Sequence, residues 1–281
     1  MNKSTGMIEL VDVAFEYPDK TAAVENLSFK INAGEKIAIL GGNGAGKSSL
    51  FLLLNGIHKV SRGKLYFKGQ EIKYSKADLL NLRKSTGIVF QDPETQIFSS
   101  SVHEEISFGL ENLKYPESEI LARVDHALQT LDIASIRNKP THLLSYGEKK
   151  KVSIAGILVM NPEILIMDEP DACLDPVTVR NLIKLLDDLH EEGKTILMST
   201  QDVNLAYAWA ERIIVMKNGT ILKDGLPFEI FSDLKIIKEA FLEIPVVHEI
   251  ALNLNIQSKF KKGDAIQKTE LIKYLKKYFS P

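Results

Sequence analysis

Residues 41–48 read Gly41-Gly42-Asn43-Gly44-Ala45-Gly46-Lys47-Ser48, a complete G-x4-G-K-S pattern. Phosphates need backbone N–H groups that all point into one hollow, and glycine follows that path without a clashing Cβ. A helix opening after the loop adds its positive end, Lys47 adds a charge for the outer phosphates, and Ser48 adds a hydroxyl ligand for Mg²⁺. A second metal anchor stands in Ile164-Leu165-Ile166-Met167-Asp168-Glu169. Four apolar residues place Asp168 at the carboxyl end of a strand, where open α/β sheets bind ligands. Asp168 is expected to hold the metal, and Glu169 to orient or deprotonate an attacking water.

Those residues need elements to carry them. Met7–Tyr17 and Val24–Ile31 mix apolar and polar positions as strands do, and Lys36–Leu40 reads as a short buried strand leading into the glycines. Ser48–Leu54 is apolar at helical density. Arg62-Gly63 and Lys68-Gly69 bracket Lys64–Phe67, which reads as a β-ribbon, and Thr86–Phe90 reads as a strand ending at Gln91. Between about 95 and 162 the pattern turns helical, with Ser118–Leu131 the clearest helix after a Pro116-Glu117-Ser118 start. Strands at Ile164–Met167 and Thr195–Ser199 flank a helix at Val177–Leu189, a β-α-β order that predicts a parallel sheet. Asn218-Gly219 predicts a hairpin turn between Ile213–Met216 and Thr220–Lys223. A boundary is expected near Gly225, with 226–281 as a separate extension.

Further motifs narrow the class. Leu144-Ser145-Tyr146-Gly147-Glu148, followed by three lysines, resembles the signature of ATP-binding-cassette (ABC) ATPases and lies upstream of the Asp-Glu pair as it does in that family. Gln91 resembles the family's Q-loop, Leu174-Asp175 its D-loop, and Tyr17 its adenine-stacking aromatic. The resemblance spans about residues 7–225. It implies an α/β P-loop NTPase cassette with an antiparallel β subdomain and a helical subdomain inserted at about 95–162. It implies ATP at Tyr17, at Gly41 through Ser49 and at Gln91, with Mg²⁺ on Ser48, Gln91 and Asp168. It further implies that Ser145, Tyr146, Gly147, Glu148 and Asp175 reach the nucleotide of a second cassette, in a head-to-tail dimer that is homo- or heteromeric. Ser145 is independently a good helix N-cap, and a helix N-terminus attracts an anion.

The chain departs from the family at three places. Tyr146 stands where Gly is usual, Glu148 where Gln is common, and Gln201, in Ser199-Thr200-Gln201-Asp202, where the family has a catalytic histidine. An amide donates a hydrogen bond but takes up no proton near neutral pH, so Gln201 is expected to serve as a neutral γ-phosphate contact. The signature, the 91–98 segment and Asp202–Arg212 are similar to ATPases of energy-coupling-factor (ECF) importers, closest to the cobalt/nickel branch. That likeness implies a membrane scaffold protein docking near Gln91, a separate substrate-capturing membrane subunit, and a peripheral position at the cytoplasmic membrane face. Its cargo is expected to be cobalt or nickel, with a vitamin as the alternative. A soluble ABC protein of translation or repair is disfavoured by the single cassette without a coiled-coil insertion, and a small-molecule kinase by the signature and Gln91.

Composition agrees with a globular ATPase. The 281 residues are 44% hydrophobic and 26% charged, and 35 basic against 37 acidic residues leave −2, with no broad positive field for nucleic acid. No apolar run reaches the roughly 18 residues of a spanning helix, and the opening residues lack the apolar stretch of a secretion signal. The one cysteine, Cys173, fits a reducing compartment, and the six histidines read as packing or surface residues. Residues 258–281 carry seven lysines against Asp264 and Glu270. An amphipathic helix at Lys268–Phe279 is expected there, with a solvated basic face or one that meets anionic lipid or a partner's tail.

Overall fold

The computed structural model describes residues 6–259 and 265–279. In chain order the elements are β1 (Ile8–Glu16), β2 (Ala22–Ile31), β3 (Lys36–Leu40), α1 (Lys47–Leu54), β4 (Arg62–Phe67), β5 (Gln70–Glu71), α2 (Lys76–Ser85) and β6 (Thr86–Val89). They continue as α3 (Val102–Asn112), α4 (Glu117–Thr130), α5 (Tyr146–Leu158), β7 (Ile164–Met167), α6 (Pro176–Glu191) and β8 (Thr195–Ser199). Last come α7 (Val203–Trp209), β9 (Arg212–Lys217), β10 (Thr220–Gly225), α8 (Pro227–Phe231), α9 (Leu234–Glu239), α10 (Val246–Asn253) and α11 (Lys268–Phe279). No helix among the described residues is long and apolar enough to cross a membrane.

The chain divides into two compact units. The first holds the described residues up to Leu50, Lys59–Glu71, and those from Leu197 onward. Its antiparallel sheet runs β2-β1-β4-β5, with Ile8 facing Ile31 and Phe67. Alternation along β1 buries Ile8 and Leu10, and the register shift after Leu10, with Asp12 at φ +49°, resets the phase so that Val13 is buried as well. The strand expected at Lys64–Phe67 starts two residues earlier, since Arg62 and Gly63 lie inside β4. Gly63 has φ +82°, and a Cβ there would sit 2.3 Å from the Asp12 carbonyl. Close approach at the irregular Val11–Ala14 register therefore demands the glycine.

In the same unit β3 pairs in parallel with β9, and β9 with β10 antiparallel, through a turn in which Asn218 and Gly219 both have positive φ. The end of β8 continues this sheet beside β3. After Gly225 the chain packs on through α8, α9 and α10. His248, fully buried, meets Tyr207 and Phe228 edge to face. The Tyr207 hydroxyl accepts the Ile266 N–H at 2.9 Å just ahead of α11. Helix α11 matches the expected Lys268–Phe279 span, whereas Lys261, Lys262 and Asp264 lie outside the described residues.

The second unit spans Phe51–His58 and Ile72–Ile196. Its strands β6 and β7 are buried along their whole length and pair in parallel, Thr86 facing Ile164 and Val89 facing Met167. The start of β8 adjoins them, with Thr195 N–H donating to the Glu163 carbonyl at 3.0 Å. Helices α3, α4 and α5 fill the stretch read as helical. Pro116 sits at the N-cap of α4 and sets its start without a side-chain cap bond.

Candidate active site

In the first unit β3 ends at Leu40 and the chain turns through the glycine loop into α1. Gly46 has φ +98°, and a Cβ there would lie 2.5 Å from the Ala23 carbonyl, so no other residue fits the path. Around Gly42 and Gly44, by contrast, nothing stands within 4 Å of where a Cβ would be. The loop is tight against its own sheet and open on the side where phosphates would lie. Gly219 N–H donates to the Ala45 carbonyl at 3.0 Å and ties the loop to the β9–β10 turn.

Lys47 is buried, and its ammonium donates to the carbonyls of Gly41 (2.8 Å) and Gly42 (3.2 Å). That places the cation across the loop mouth, on oxygens that a phosphate would outcompete. Ser48 is exposed at the helix start, while Ser49 is buried and bonds the Tyr17 hydroxyl at 2.9 Å. Tyr17 also packs edge to face on Phe15. The ring is thus held at both its hydroxyl and one edge beside α1. Gln201, past the end of β8, donates from its amide to the Asn43 side-chain oxygen at 3.2 Å. Asp202 then caps α7 through the N–H groups of Asn204 and Leu205.

In the second unit the parallel register of β6 and β7 brings their following loops to one edge. Asp168 N–H donates to the Val89 carbonyl at 2.9 Å, continuing the ladder by one residue. Asp168 and Glu169 are both buried, at 6% and 7% exposure. Glu169 has φ +42°, a left-handed conformation uncommon outside glycine that concentrates at functional sites. The Gln91 amide donates to Glu169 Oε2 at 2.8 Å. Sequence placed these two residues 78 positions apart, and the register brings them together.

Helix α5 opens on the signature. Ser145 is its N-cap in a full capping box, with Ser145 Oγ accepting the Glu148 N–H and Glu148 Oε2 accepting the Ser145 N–H at 2.7 Å. Lys139 donates to the same carboxylate at 3.0 Å. The Ser145 N–H, and then Lys139, hold the Glu148 carboxyl below its usual range, which accounts for a charged residue where an amide is common. The Tyr146 hydroxyl donates to the Gln91 carbonyl at 3.2 Å, and burial pushes its pKa up. At Gly147 a Cβ would meet only Leu174, at 3.9 Å, so the glycine leaves surface open. Asp175 caps α6, accepting the Val177 and Thr178 N–H groups, and the Thr178 hydroxyl leads in holding its pKa down. Ser145, Gly147, Glu148, Lys151 and Asp175 share one pocket of about 290 Å³.

Sequence reasoning passed over Lys150. It is fully buried, and its ammonium donates to the carbonyls of Gln91 (2.7 Å), Phe90 (3.1 Å) and, at 3.5 Å, Glu169. Burial pushes its pKa down to about 8, against the opposing pull of Asp168, Asp171 and Asp92. Helical spacing carried a signal: Lys150 falls on the buried face with Ser153 and Ile154, where a charge needs partners.

Comparison with known proteins bears on the residues of both units. The family model described as "ABC transporter" matches residues 24–172. The energy-coupling factor transporter ATP-binding protein EcfA of Methanocaldococcus jannaschii is 44% identical over 276 residues, covering 96% of this chain and 98% of that protein. EcfA2 of Clostridium perfringens is 45% identical over 240 residues, or 85% and 84% of the two chains. Among solved structures, cbiO1 from Clostridium perfringens, part of the ABC transporter complex cbiONQ, has a TM-score of 0.73 at 42% identity, covering 88% of this chain and 99% of that one. A dimeric ATP-binding cassette bound to ADP and Pi has a TM-score of 0.71 at 28% identity, covering 78% and 97%.

Proposed function

The chain belongs to the ATP-binding subunits of energy-coupling-factor ABC transporters, and from that premise we propose the part each residue plays. It is an ATP-hydrolysing transporter subunit. The cassette covers residues 1–225 with a helical subdomain at about 95–162, and 226–281 form the C-terminal extension.

Two such subunits, identical or paired with a near relative, bind two ATP molecules between them. Lys47 leaves the Gly41 and Gly42 carbonyls for the β- and γ-phosphates, which the amides of residues 42–49 surround. Tyr17 lends its ring face to adenine. The open side of Gly42 and Gly44 fits phosphate oxygens, and the hydroxyl of Ser48, the amide oxygen of Gln91 and the carboxylate of Asp168 are the hard oxygen donors Mg²⁺ takes. Magnesium, when bound, neutralises charge on the phosphates. Glu169 accepts the proton of the attacking water, and Gln91 fixes the carboxylate by holding Oε2. Gln201 presents a neutral donor to the γ-phosphate. Ser145 and Gly147 at the mouth of the α5 capping box, with Tyr146, Glu148 and Asp175 around them, face the nucleotide held by the other subunit.

The observation that carries this reading is the Gln91–Glu169 bond beside a strained, buried carboxylate. Its test is Glu169→Gln. Turnover is expected to fall at least 100-fold while ATP affinity persists and a stable ATP-bound dimer collects in size-exclusion chromatography. A variant that hydrolyses at the native rate removes Glu169 from its role.

The subunit sits on the cytoplasmic membrane face, docked to a transmembrane scaffold protein through the segment after Gln91, with a substrate-specific membrane subunit capturing cargo. Phe98, 65% exposed and stacked edge to face on Phe108 at 4.6 Å, supplies an apolar foothold for a scaffold helix. The cargo is cobalt or nickel, a reading supported by the likeness to cbiO1. A vitamin is the second reading, since the names of the EcfA relatives specify no cargo. Loss of radiolabelled cobalt and nickel uptake in cells lacking the chain supports the metal; intact metal uptake with lost vitamin uptake reverses the assignment.

A further inference from the structure

Lys150 has no place in the machinery described so far, yet its surroundings are unusual for a helix lysine. Its ammonium has three donors, and three main-chain carbonyls from two separate loops receive them: Phe90 and Gln91 after β6, and Glu169 after β7. Of these, the Glu169 contact is the longest, at 3.5 Å. The side chain is shut off from solvent, so water does not compete for these bonds. Asp168, Asp171 and Asp92 face it and supply the opposite charge that lets a cation remain there.

Neighbouring residues of α5 grip the same loop. Tyr146, one turn earlier, gives its hydroxyl to the Gln91 carbonyl, so that oxygen takes donors from two positions of one helix. Lys149 pairs with Glu94 at 2.5 Å. Gln96 holds the Phe90 N–H through its side-chain oxygen at 2.9 Å. The main chain of residues 90–96 is therefore fastened to the signature helix, and Lys150 is the member of that set that also touches the residue carrying the carboxylate.

We propose that Lys150 is a positioning residue for hydrolysis, fixing the main chain of Gln91 and Glu169 so that the Gln91 amide meets the Glu169 carboxylate before nucleotide arrives. The proposal rests on Glu169 being the proton acceptor. It explains why a cation stands here: a neutral side chain of the same length packs equally well but cannot serve carbonyls of both loops. It also joins the helix that faces the second subunit's nucleotide to the groups that act on the first. A shift of α5 would then be transmitted to Gln91 and Glu169 directly.

The test uses the full chain with Lys150→Met, which keeps the length and apolar stem and removes the donors, and Lys150→Arg, which keeps donors and charge. With Lys150→Met, kcat is expected to fall about tenfold while KM for ATP stays within about twofold. In the nucleotide-free protein, amide exchange should rise in peptides holding residues 90–94 and 168–171 and remain native in β1–β2. Lys150→Arg should recover most of the lost kcat. Native kcat in Lys150→Met overturns the proposal. So does a lost kcat with unchanged exchange at 90–94, or with exchange raised throughout the molecule. If the Met variant does not fold, Lys150→Gln, too short to span both loops, carries the same readouts. Failure of this idea is separable from failure of the site: native turnover in Glu169→Gln removes the proton acceptor, whereas native turnover in Lys150→Met beside an inactive Glu169→Gln removes Lys150 alone.

Discussion

The two sets of candidate site residues, one in each unit, are held in different ways. The phosphate loop is shaped by backbone conformation: glycines with positive φ, a strand before and a helix after, and Lys47 bonded to carbonyls of its own loop. The half built from Gln91, Glu169 and the signature is shaped by side chains that reach between segments far apart in the chain, such as Lys150 to Phe90 and Tyr146 to Gln91. A backbone-made site fails when one residue cannot adopt its conformation. A site made of side-chain contacts degrades by one hydrogen bond at a time. The contrast implies that substitutions in the first half act on nucleotide binding, and substitutions in the second act on turnover.

The sharpest way to break the first half is Gly46→Ala. The added Cβ meets the Ala23 carbonyl at 2.5 Å on a backbone of φ +98°. Strain of up to ~3 kcal/mol corresponds to a loss of about 100-fold in ATP affinity, read by titration with a fluorescent nucleotide. Native affinity would show that the loop is not held as described.

In the second half, Tyr146→Phe removes the hydroxyl on the Gln91 carbonyl and leaves the ring. A net hydrogen bond of about 0.5–1.5 kcal/mol sets the expected fall in kcat at roughly 2- to 12-fold, with nucleotide affinity unchanged. An equal fall in affinity would merge the two halves that the comparison separates.

Gln201 bonds Asn43 of the loop, yet as a γ-phosphate contact it is the exception expected to act on turnover. Gln201→His is expected to keep or raise turnover and to add a pH dependence between about 5 and 8, seen in kcat profiles. Gln201→Ala with native turnover removes Gln201 from the reaction.

The smallest effect concerns stability. Glu148 has its pKa lowered in the fold by the Ser145 N–H and Lys139, so its contribution is present above the unfolded carboxylate range. It is lost as pH falls through the depressed folded value. Between pH 5 and 3 the native chain should therefore lose about 1–3 °C more in Tm than Glu148→Gln, given a capping contribution of about 0.5–1 kcal/mol. Equal losses would mean that the capping box does not depend on the charge.

Particular residues show what was legible beforehand. Asn218-Gly219 specified its hairpin because the turn needs positive φ at both positions, a purely local demand. Arg62-Gly63 marked the edge of a ribbon in sequence, yet Gly63 serves a close approach to Asp12 inside a sheet, which no local pattern reports. Tyr146 and Glu148 registered as departures from a family pattern and as contacts to a second nucleotide, with no sign of their partners within the chain. The Gln91 carbonyl and Lys139 are what give them partners.

The sequence by itself determined the glycine loop, the acidic strand end and the capped signature helix, because each depends on neighbours within a few residues. Tertiary structure decided which carboxylate the Gln91 amide would hold, and that a lysine of α5 would lie among the loop carbonyls. Those contacts join residues 19 to 78 positions apart, and their formation depends on strand register and helix packing.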